Sequence, residues 1–420
     1  MKTILLGNFT KCADMFRQIA FRSSFAGKAW QLQFCRLLSS SPSQTTAISS
    51  RQVPLFLTRP RKATCSLAVV KGLSPISTDN RKGAISASGL DADGLPLEYS
   101  PPKTGFLSIL PKSWVPYAEL ARMNNPQGTY YLLLPCIWSA LMAAPMTMPI
   151  TSPITVLEYS ALFASGAFVM RGAGCAINDF WDRNFDPHVA RTKFRPIARG
   201  AITPFQGLMF TGTQMLVGLG ILLQFPLPCL FYGVPSVAFV ALYPLAKRIT
   251  YYPQAILGLT FSWGAIMGFP ALGVDLMHNS AALAAAACLY SSNIAWTILY
   301  DMIYAHMDLK HDIQAGVKSI VVKHAQHTKK IMSGLAVIQV GLLTAAGVAA
   351  GSGPAFFIGG VGGAAATLGV MIKKVNLRDV KNCWWWFSNG CWFTGGAIAT
   401  GLGIDYLIQW SERVETTPAE

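Results

Sequence analysis

Two sets of acidic residues in this 420-residue chain have the types and spacing for metal chemistry. The first lies in Asn178-Asp179-Phe180-Trp181-Asp182-Arg183-Asn184-Phe185-Asp186. Its carboxylates recur at i, i+3 and i+7, so they share one face if the segment is helical. The second set is Asp301, Asp308 and Asp312, at i, i+7 and i+11. Each set closes a long apolar run. Carboxylates gathered at the edge of a membrane repel one another and are costly to desolvate, so a cation is expected among them. Two acidic faces meeting at one end of a helical bundle would form an oxygen-rich site suited to Mg²⁺. That ion binds a few carboxylates and keeps positions for substrate phosphates. The plainer reading is two solvated helix ends. The Arg- and Lys-rich loop after the first set argues against it.

That loop reads Arg191-Thr192-Lys193-Phe194-Arg195-Pro196-Ile197-Ala198-Arg199-Gly200. Carboxylates for metal beside guanidinium and ammonium groups for anions are what a diphosphate requires. Some of these cations could serve only to set membrane topology. Lys318-Ser319, just after the second set, could reach the same site. A diphosphate at the end of membrane helices suggests a lipid diphosphate, its tail among the helices and its head at the mouth. Mg²⁺ would make the diphosphate a better leaving group by stabilising charge as it develops. An allylic lipid would then leave a delocalised carbocation, which a water-poor pocket must protect from hydrolysis. Phe261, Trp263, Tyr300 and Tyr304 are candidate wall residues, with ordinary packing as the alternative for each. Arg171 lies seven residues before Asn178 and on the same face. Inside an apolar run it reads as an anion anchor, against snorkelling or pairing with a neighbouring acid.

The elements that must position these groups are membrane helices. The chain is 52% hydrophobic and only 13% charged, too apolar for a soluble domain. Nine runs approach the roughly 20 apolar residues that a bilayer core needs. They cover about 129–149, 154–177, 205–225, 227–246, 251–272, 280–303, 331–350, 354–372 and 389–410. Pro135, Pro235 and Pro270 fall within them, as membrane helices tolerate. The last three runs are rich in Gly and Ala, which suits close helix approach. Loops after the second, fourth, sixth and eighth runs carry Lys and Arg, among them Arg183, Arg199, Lys247, Arg248, Lys310, Lys330, Lys373 and Lys381, whereas the odd-numbered loops carry none. This alternation places both acidic sets, and the N-terminal region, on the basic "inside" face, with the C-terminus opposite. Trp384-Trp385-Trp386 fits an interfacial aromatic belt.

The net charge of +15 resembles a nucleic-acid signal, but its distribution excludes that reading. Residues 1–82 hold 13 Lys and Arg against 2 Asp and Glu, and the other 338 residues hold 21 against 17. The basic, Ser-rich, acid-poor start is that of an organelle transit peptide. Residues 1–80 are therefore expected to be a mitochondrial transit peptide and disordered segment, and 81–120 a linker and matrix-side lead-in. Residues 121–411 would be the transmembrane domain and 412–420 a C-terminal tail. Cys136, Cys175, Cys229, Cys288 and Cys391 lie in or beside apolar runs and Cys383 in a short loop, with no CxxC pair, so neither a disulfide framework nor a zinc site is indicated.

The motifs resemble those of the UbiA superfamily of intramembrane prenyltransferases. Asn178-Asp179-x-x-Asp182-x-x-x-Asp186 with Arg191-Thr192-x-x-Arg195-Pro196 looks like its first signature. Tyr300-Asp301-x-x-Tyr304-Ala305-x-x-Asp308-x-x-x-Asp312, then Gly316-x-Lys318-Ser319, looks like the second in the mitochondrial 4-hydroxybenzoate branch of ubiquinone biosynthesis. Tyr243-Pro244-Leu245-Ala246-Lys247-Arg248 with Pro253-Gln254, and Arg171-Gly172-Ala173-Gly174-Cys175, are similar to that branch too. The likeness runs from about Leu120 to Trp410. It implies an all-α bundle of about nine transmembrane helices around a central cavity open sideways to lipid. It implies Mg²⁺-dependent transfer of a long all-trans polyprenyl chain to the ring carbon ortho to the hydroxyl of 4-hydroxybenzoate, in the mitochondrial inner membrane with the site facing the matrix.

By the same resemblance Asn178, Asp182, Asp308 and Asp312 would hold two Mg²⁺, with Asp179 and Asp186 joining the metal set. Asp182, Asp301 and Asp308 would be catalytic. Arg183, Lys193, Arg195, Arg199 and Lys318 would contact the diphosphate. Arg248 would hold the benzoate carboxylate, with Arg171 as competitor and Tyr304 beside the ring. Partners would be polyprenyl diphosphate, 4-hydroxybenzoate, the lipid bilayer and other ubiquinone-biosynthesis proteins, and no nucleic acid. One departure is His311, where many relatives carry an acid. It implies either a weaker, pH-sensitive metal site or a position outside the inner shell. Three rivals stand beside this reading, one of them a non-catalytic scaffold, which would have little reason to keep six aspartates in two facing sets. A related prenyltransferase would take another acceptor, such as homogentisate, haem or a polyketide phenol. An ion-coupled transporter would place its acids near the bilayer midplane, whereas these end their helices on one side.

Overall fold

The computed structural model describes residues 98–416, except 189–191 and 315, and the side chains at 243–245, 247, 248 and 416 also lie outside the description. The transit-peptide segment therefore falls outside the described residues, as do Arg191 and the side chain of Arg248. The described residues contain helices and no strands. After α1 (Val115–Leu120), the membrane part begins with α2 (Gln127–Ala143), α3 (Pro153–Trp181) and α4 (Pro204–Leu222). The fourth and fifth expected spans each come as two pieces, α5 (Pro228–Gly233) with α6 (Ser236–Ile249), and α7 (Pro253–Phe261) with α8 (Gly264–Ala271). Then follow α9 (Ser280–His306), the short α10 (Leu309–Gln314) and α11 (Ile320–His324), and α12 (Thr328–Ala350). The last elements are α13 (Gly363–Lys374), α14 (Val380–Gly390) and α15 (Gly396–Thr416). Among the described residues six helical stretches, at 127–146, 153–181, 204–222, 280–306, 320–350 and 356–374, are long and apolar enough to cross a membrane. Length and composition alone therefore do not confirm the expected count of about nine. Pro235 falls at the break in the fourth, whose N–H it cannot supply. The ninth carries Asp405, Glu412, Arg413 and Glu415 within α15.

Local chemistry fixes where the site helices start. Ser152 caps α3 by accepting the Thr155 amide, with Pro153 in the first turn. Thr203 and Gln206 form a reciprocal capping box at the start of α4. Asn279 accepts the Ala282 amide to open α9. α3 then lies along α4, and α9 packs most extensively on α12 and further against α7, α8 and α14. The principal core forms where Tyr131 and Trp138 of α2 meet Trp296 and Tyr300 of α9. The Trp138 indole donates to the Gly395 carbonyl at 3.0 Å, so its polar edge is satisfied inside that core. Of the three consecutive tryptophans, Trp386 packs into the core, Trp384 lines the central cavity and Trp385 is 49% exposed. Cys383 lies buried in α14, not in a loop.

Close backbone contact holds α8 to α2. Gly264 and Gly268 put a bare stripe against Cys136, Ser139 and Ala140. The Ser139 hydroxyl donates to the Gly264 carbonyl at 2.8 Å and accepts the Gly268 amide at 2.9 Å. Without an apolar solvent difference between helices in lipid, such small-residue approach supplies the packing. A Cβ at Gly268 would collide with the backbone of Ser139 and Ala140, which cannot rotate away. Gly268→Ala is expected to cost about 3 kcal/mol, read as a lowered thermal unfolding midpoint of the purified protein in detergent. A midpoint equal to that of the unsubstituted protein would show that the two helices do not approach this closely.

Candidate active site

Both acidic sets straddle a helix end. α3 stops at Trp181, so Asn178 and Asp179 sit in its last turns, Asp182 is the C-cap and Asp186 opens a single 3₁₀ turn. The Asp182 amide donates to the Asn178 carbonyl, and the Asp186 amide to that of Asp182, each at 2.9 Å. The backbone therefore keeps a helical i→i+4 path past the end of the regular helix. The second set repeats this design. Asp301 lies in the last two turns of α9, Asp308 follows its end, and the Asp312 amide in α10 donates to the Asp308 carbonyl at 2.9 Å.

The first-set carboxylates do not share one role. Asp179, with a fully buried side chain, accepts two bonds from Arg122 Nη2, at 2.7 and 2.9 Å, and lies 3.2 Å from Arg195 Nη1. The same Arg195 nitrogen bonds both Asp186 oxygens, at 3.1 and 3.0 Å. So i and i+7 do converge, but on arginines, and two buried carboxylates are balanced by two guanidiniums. Burial nevertheless pushes the Asp186 carboxyl up, with Asp179 and Asp182 adding to the rise and Arg195 opposing it. Asp182 is half-buried, and the Asn178 amide nitrogen donates to its carboxylate at 3.2 Å. That donation leaves the Asn178 carbonyl oxygen for another partner.

Sequence reasoning missed Arg122, Glu119 and Tyr99. Arg199 donates to Glu119 at 2.6 Å, the Tyr99 hydroxyl donates to the same carboxylate at 2.9 Å, and the Arg199 guanidinium stacks 3.7 Å from the Tyr99 ring centroid. Burial, with Glu119 adding to it, raises the Tyr99 phenol above its usual range. Arg122 holds φ at +57°, a left-handed conformation uncommon for a side chain of this size, and also donates to the Glu119 carbonyl at 2.9 Å. Nothing in its residue type announces that conformation. The lead-in to α2 is thus a wall of the site.

A cavity of ≈ 2200 Å³ brings the two sets together. Asn178, Asp179, Asp301 and Asp308 line it, as do Arg171, Arg195, Arg199 and Tyr304. Asp182, Asp186 and Asp312 are off its wall, and so are Arg183, Lys193 and Lys318. Arg183 donates to the Phe180 carbonyl and lies over the Phe180 ring, and Lys193 lies over Phe194. Lys318 donates to the Ile249 carbonyl at 3.3 Å. Of the five expected diphosphate contacts, then, only Arg195 and Arg199 face the cavity. Phe261, Trp263 and Tyr300 all line it, and its deeper wall is apolar, including Leu162, Phe163, Ile221, Phe225 and Met267. Arg171 lies against the bare face of Gly128, and its Nε is buried without a hydrogen-bond partner. His311 is half-buried on the cavity wall.

Among the described residues no three His, Cys, Asp or Glu converge into an all-protein metal cage. The donors on the wall are oxygen atoms of carboxylates and one amide. That set suits Mg²⁺, which is commonly held by one or two carboxylates together with substrate phosphates.

The UbiA prenyltransferase family model matches residues 132–395. A protein named mitochondrial 4-hydroxybenzoate polyprenyltransferase from Schizosaccharomyces pombe is 44% identical over 308 residues, covering 73% of this chain and 84% of its own. One of the same name from Saccharomyces cerevisiae is 46% identical over 306 residues, covering 72% and 80%. The solved apo structure of a UbiA homolog from Aeropyrum pernix K1 superposes with a TM-score of 0.52 at 17% identity, covering 67% of this chain and 97% of that one. The all-helical architecture agrees with these likenesses, and this chain belongs to the UbiA prenyltransferase family.

Proposed function

We propose that this chain transfers a polyprenyl group from its diphosphate to the ring carbon ortho to the hydroxyl of 4-hydroxybenzoate. The observation that carries the reading is the cavity itself, with acids from both motifs at one end and an apolar, aromatic remainder. Relatives named for this reaction cover most of the chain and are matched over most of their own length. The setting is the mitochondrial inner membrane with the acidic end on the matrix side, supported by the relatives' mitochondrial names and the basic loops. Residues 1–80 would be the targeting segment, and association with other enzymes making the same quinone belongs to this reading.

In this role Asn178 and Asp308, on the cavity wall, would hold Mg²⁺ on the diphosphate, with Asp301 assisting and Asp182 and Asp312 joining them from just behind the wall. Bound there, Mg²⁺ would supply charge stabilisation to the departing diphosphate. Arg195 and Arg199 present guanidinium groups at the cavity wall next to where that anion would sit. Asp179 and Asp186 hold Arg122 and Arg195 in place. The tail would lie along Leu162, Phe163 and Phe225, and Phe261, Trp263, Tyr300 and Tyr304 would keep water from the allylic cation. Arg171 would take the acceptor carboxylate. It is a guanidinium on the cavity wall with a buried, unpartnered Nε, and the bare face of Gly128 leaves it room. Arg248 is the competing candidate.

The test is prenylation of 4-hydroxybenzoate by the purified protein in liposomes, with Mg²⁺ and then with excess chelator. Prenylated benzoate should form with the metal and fall to background with the chelator, returning on Mg²⁺ addition. A metal-dependent product from a different phenol only would keep the site and change the acceptor. Turnover unaffected by chelation would remove the metal reading.

A further inference from the structure

The cavity has a second charged rim that the acidic sets do not account for. Beyond Asp308 its wall continues through Lys310 of α10, Lys329 in the first turn of α12 and Arg378 between α13 and α14. All three residues are exposed and yet line the cavity, so they stand where it meets water. The loop carrying Arg378 is pinned. The Arg378 amide donates to the Asn376 side chain at 3.2 Å, and the Asn376 amide donates to the Asn382 side chain at 2.8 Å. Lys329 Nζ donates to the Lys373 carbonyl at 3.4 Å, which ties α12 to the end of α13.

Charge bookkeeping separates this rim from the first. Arg122, Arg195 and Arg199 each sit on a carboxylate of Asp179, Asp186 or Glu119. Lys310, Lys329 and Arg378 form no ion pair with a described residue. The reaction proposed above joins a lipid to a small aromatic carboxylate. The carboxylate is water-borne, does not cross hydrocarbon as an anion, and is repelled by a mouth lined with aspartates. A path of uncompensated cations removes that barrier.

We propose that this rim is the water-side entrance for the anionic acceptor. Lys329 and Arg378 draw the carboxylate in from solution, and the lipid diphosphate reaches the acids from the bilayer. This rests on the acceptor reading given above. A second anion, the diphosphate released by the reaction, could use the same rim, and the kinetics tell the two apart.

The experiment compares the unsubstituted protein in liposomes with Lys329→Gln/Arg378→Gln. Its control is Lys374→Gln/Lys381→Gln, which removes the same charge from exposed positions off the cavity wall. KM for 4-hydroxybenzoate should rise about fivefold in the rim variant, with kcat and KM for the prenyl diphosphate within about twofold. The gap should narrow as salt is added, and the control should match the unsubstituted protein. An unchanged KM, or an equal rise in the control, overturns the proposal. A fall in kcat with stronger inhibition by added diphosphate, at unchanged KM, overturns it in favour of product release. No turnover of 4-hydroxybenzoate by the unsubstituted protein would instead overturn the acceptor reading, and this inference with it.

Discussion

Replacing Asp182 with alanine should lower prenyl transfer by about 10³-fold and leave the thermal unfolding midpoint nearly unchanged. The expectation follows from how the first motif divides its carboxylates. Asp179 and Asp186 are buried against Arg122 and Arg195, so their loss should cost folding first. Asp182 is half-buried at the helix end, beside Asn178 on the cavity wall. On the proposed reading its loss takes a negative oxygen ligand from Mg²⁺, and it frees the Asn178 amide to rotate away from the geometry that its donation to Asp182 fixes. Product formation and unfolding should be measured on the same liposome-ready preparation. A variant that keeps more than about a tenth of the activity would remove Asp182 from the metal set. Asp182→Asn sharpens the test, because it keeps the volume and one oxygen but not the charge.

The difference among these aspartates marks what the sequence could and could not disclose. The i, i+3, i+7 spacing correctly brought Asp179 and Asp186 to one place, because the backbone keeps its helical bonding past Trp181. It could not say that Asp179 meets Arg122, which lies 57 residues before it in a lead-in without periodicity. Lys193, Arg183 and Lys318 looked equivalent to Arg195 and Arg199 as charges near a motif. Orientation separates them, and orientation is set by tertiary contacts with Phe180, Phe194 and the Ile249 carbonyl. Apolar runs placed the helices because burying a backbone in lipid leaves few other options. The same runs hid the breaks near Gly233 and Phe261. Those depend on partners such as the Trp263 indole, which donates to the Tyr232 carbonyl and joins the two discontinuities.

Replacing Arg195 with alanine should impair stability and transfer together, and the two losses should separate with pH. Among the described residues Arg195 is the single cation that touches both Asp179 and Asp186. Without it Asp186 keeps no arginine partner among the described residues, while Asp179 keeps Arg122. Breaking a buried pair in this way costs about 3 kcal/mol. Asp186 is already raised by burial in the native protein, against the pull of Arg195. Removing that pull raises it further, so the native state then binds a proton more tightly than the unfolded chain. For a carboxyl raised in this way, stability is fully present below its unfolded value, about 4, and is lost as pH rises through the folded value. The unfolding midpoint of Arg195→Ala should therefore recover relative to the unsubstituted protein on acidification toward that range. Transfer should not recover, because a protonated Asp186 does nothing to replace a guanidinium on the cavity wall. Arg195→Lys should restore part of the stability, because the single nitrogen Nη1 makes the contacts to both carboxylates, but an ammonium lacks the second guanidinium nitrogen that is left to meet an anion, so transfer should stay low. If activity instead returned in step with stability as pH fell, Arg195 would be a structural residue and its place beside the diphosphate would be lost.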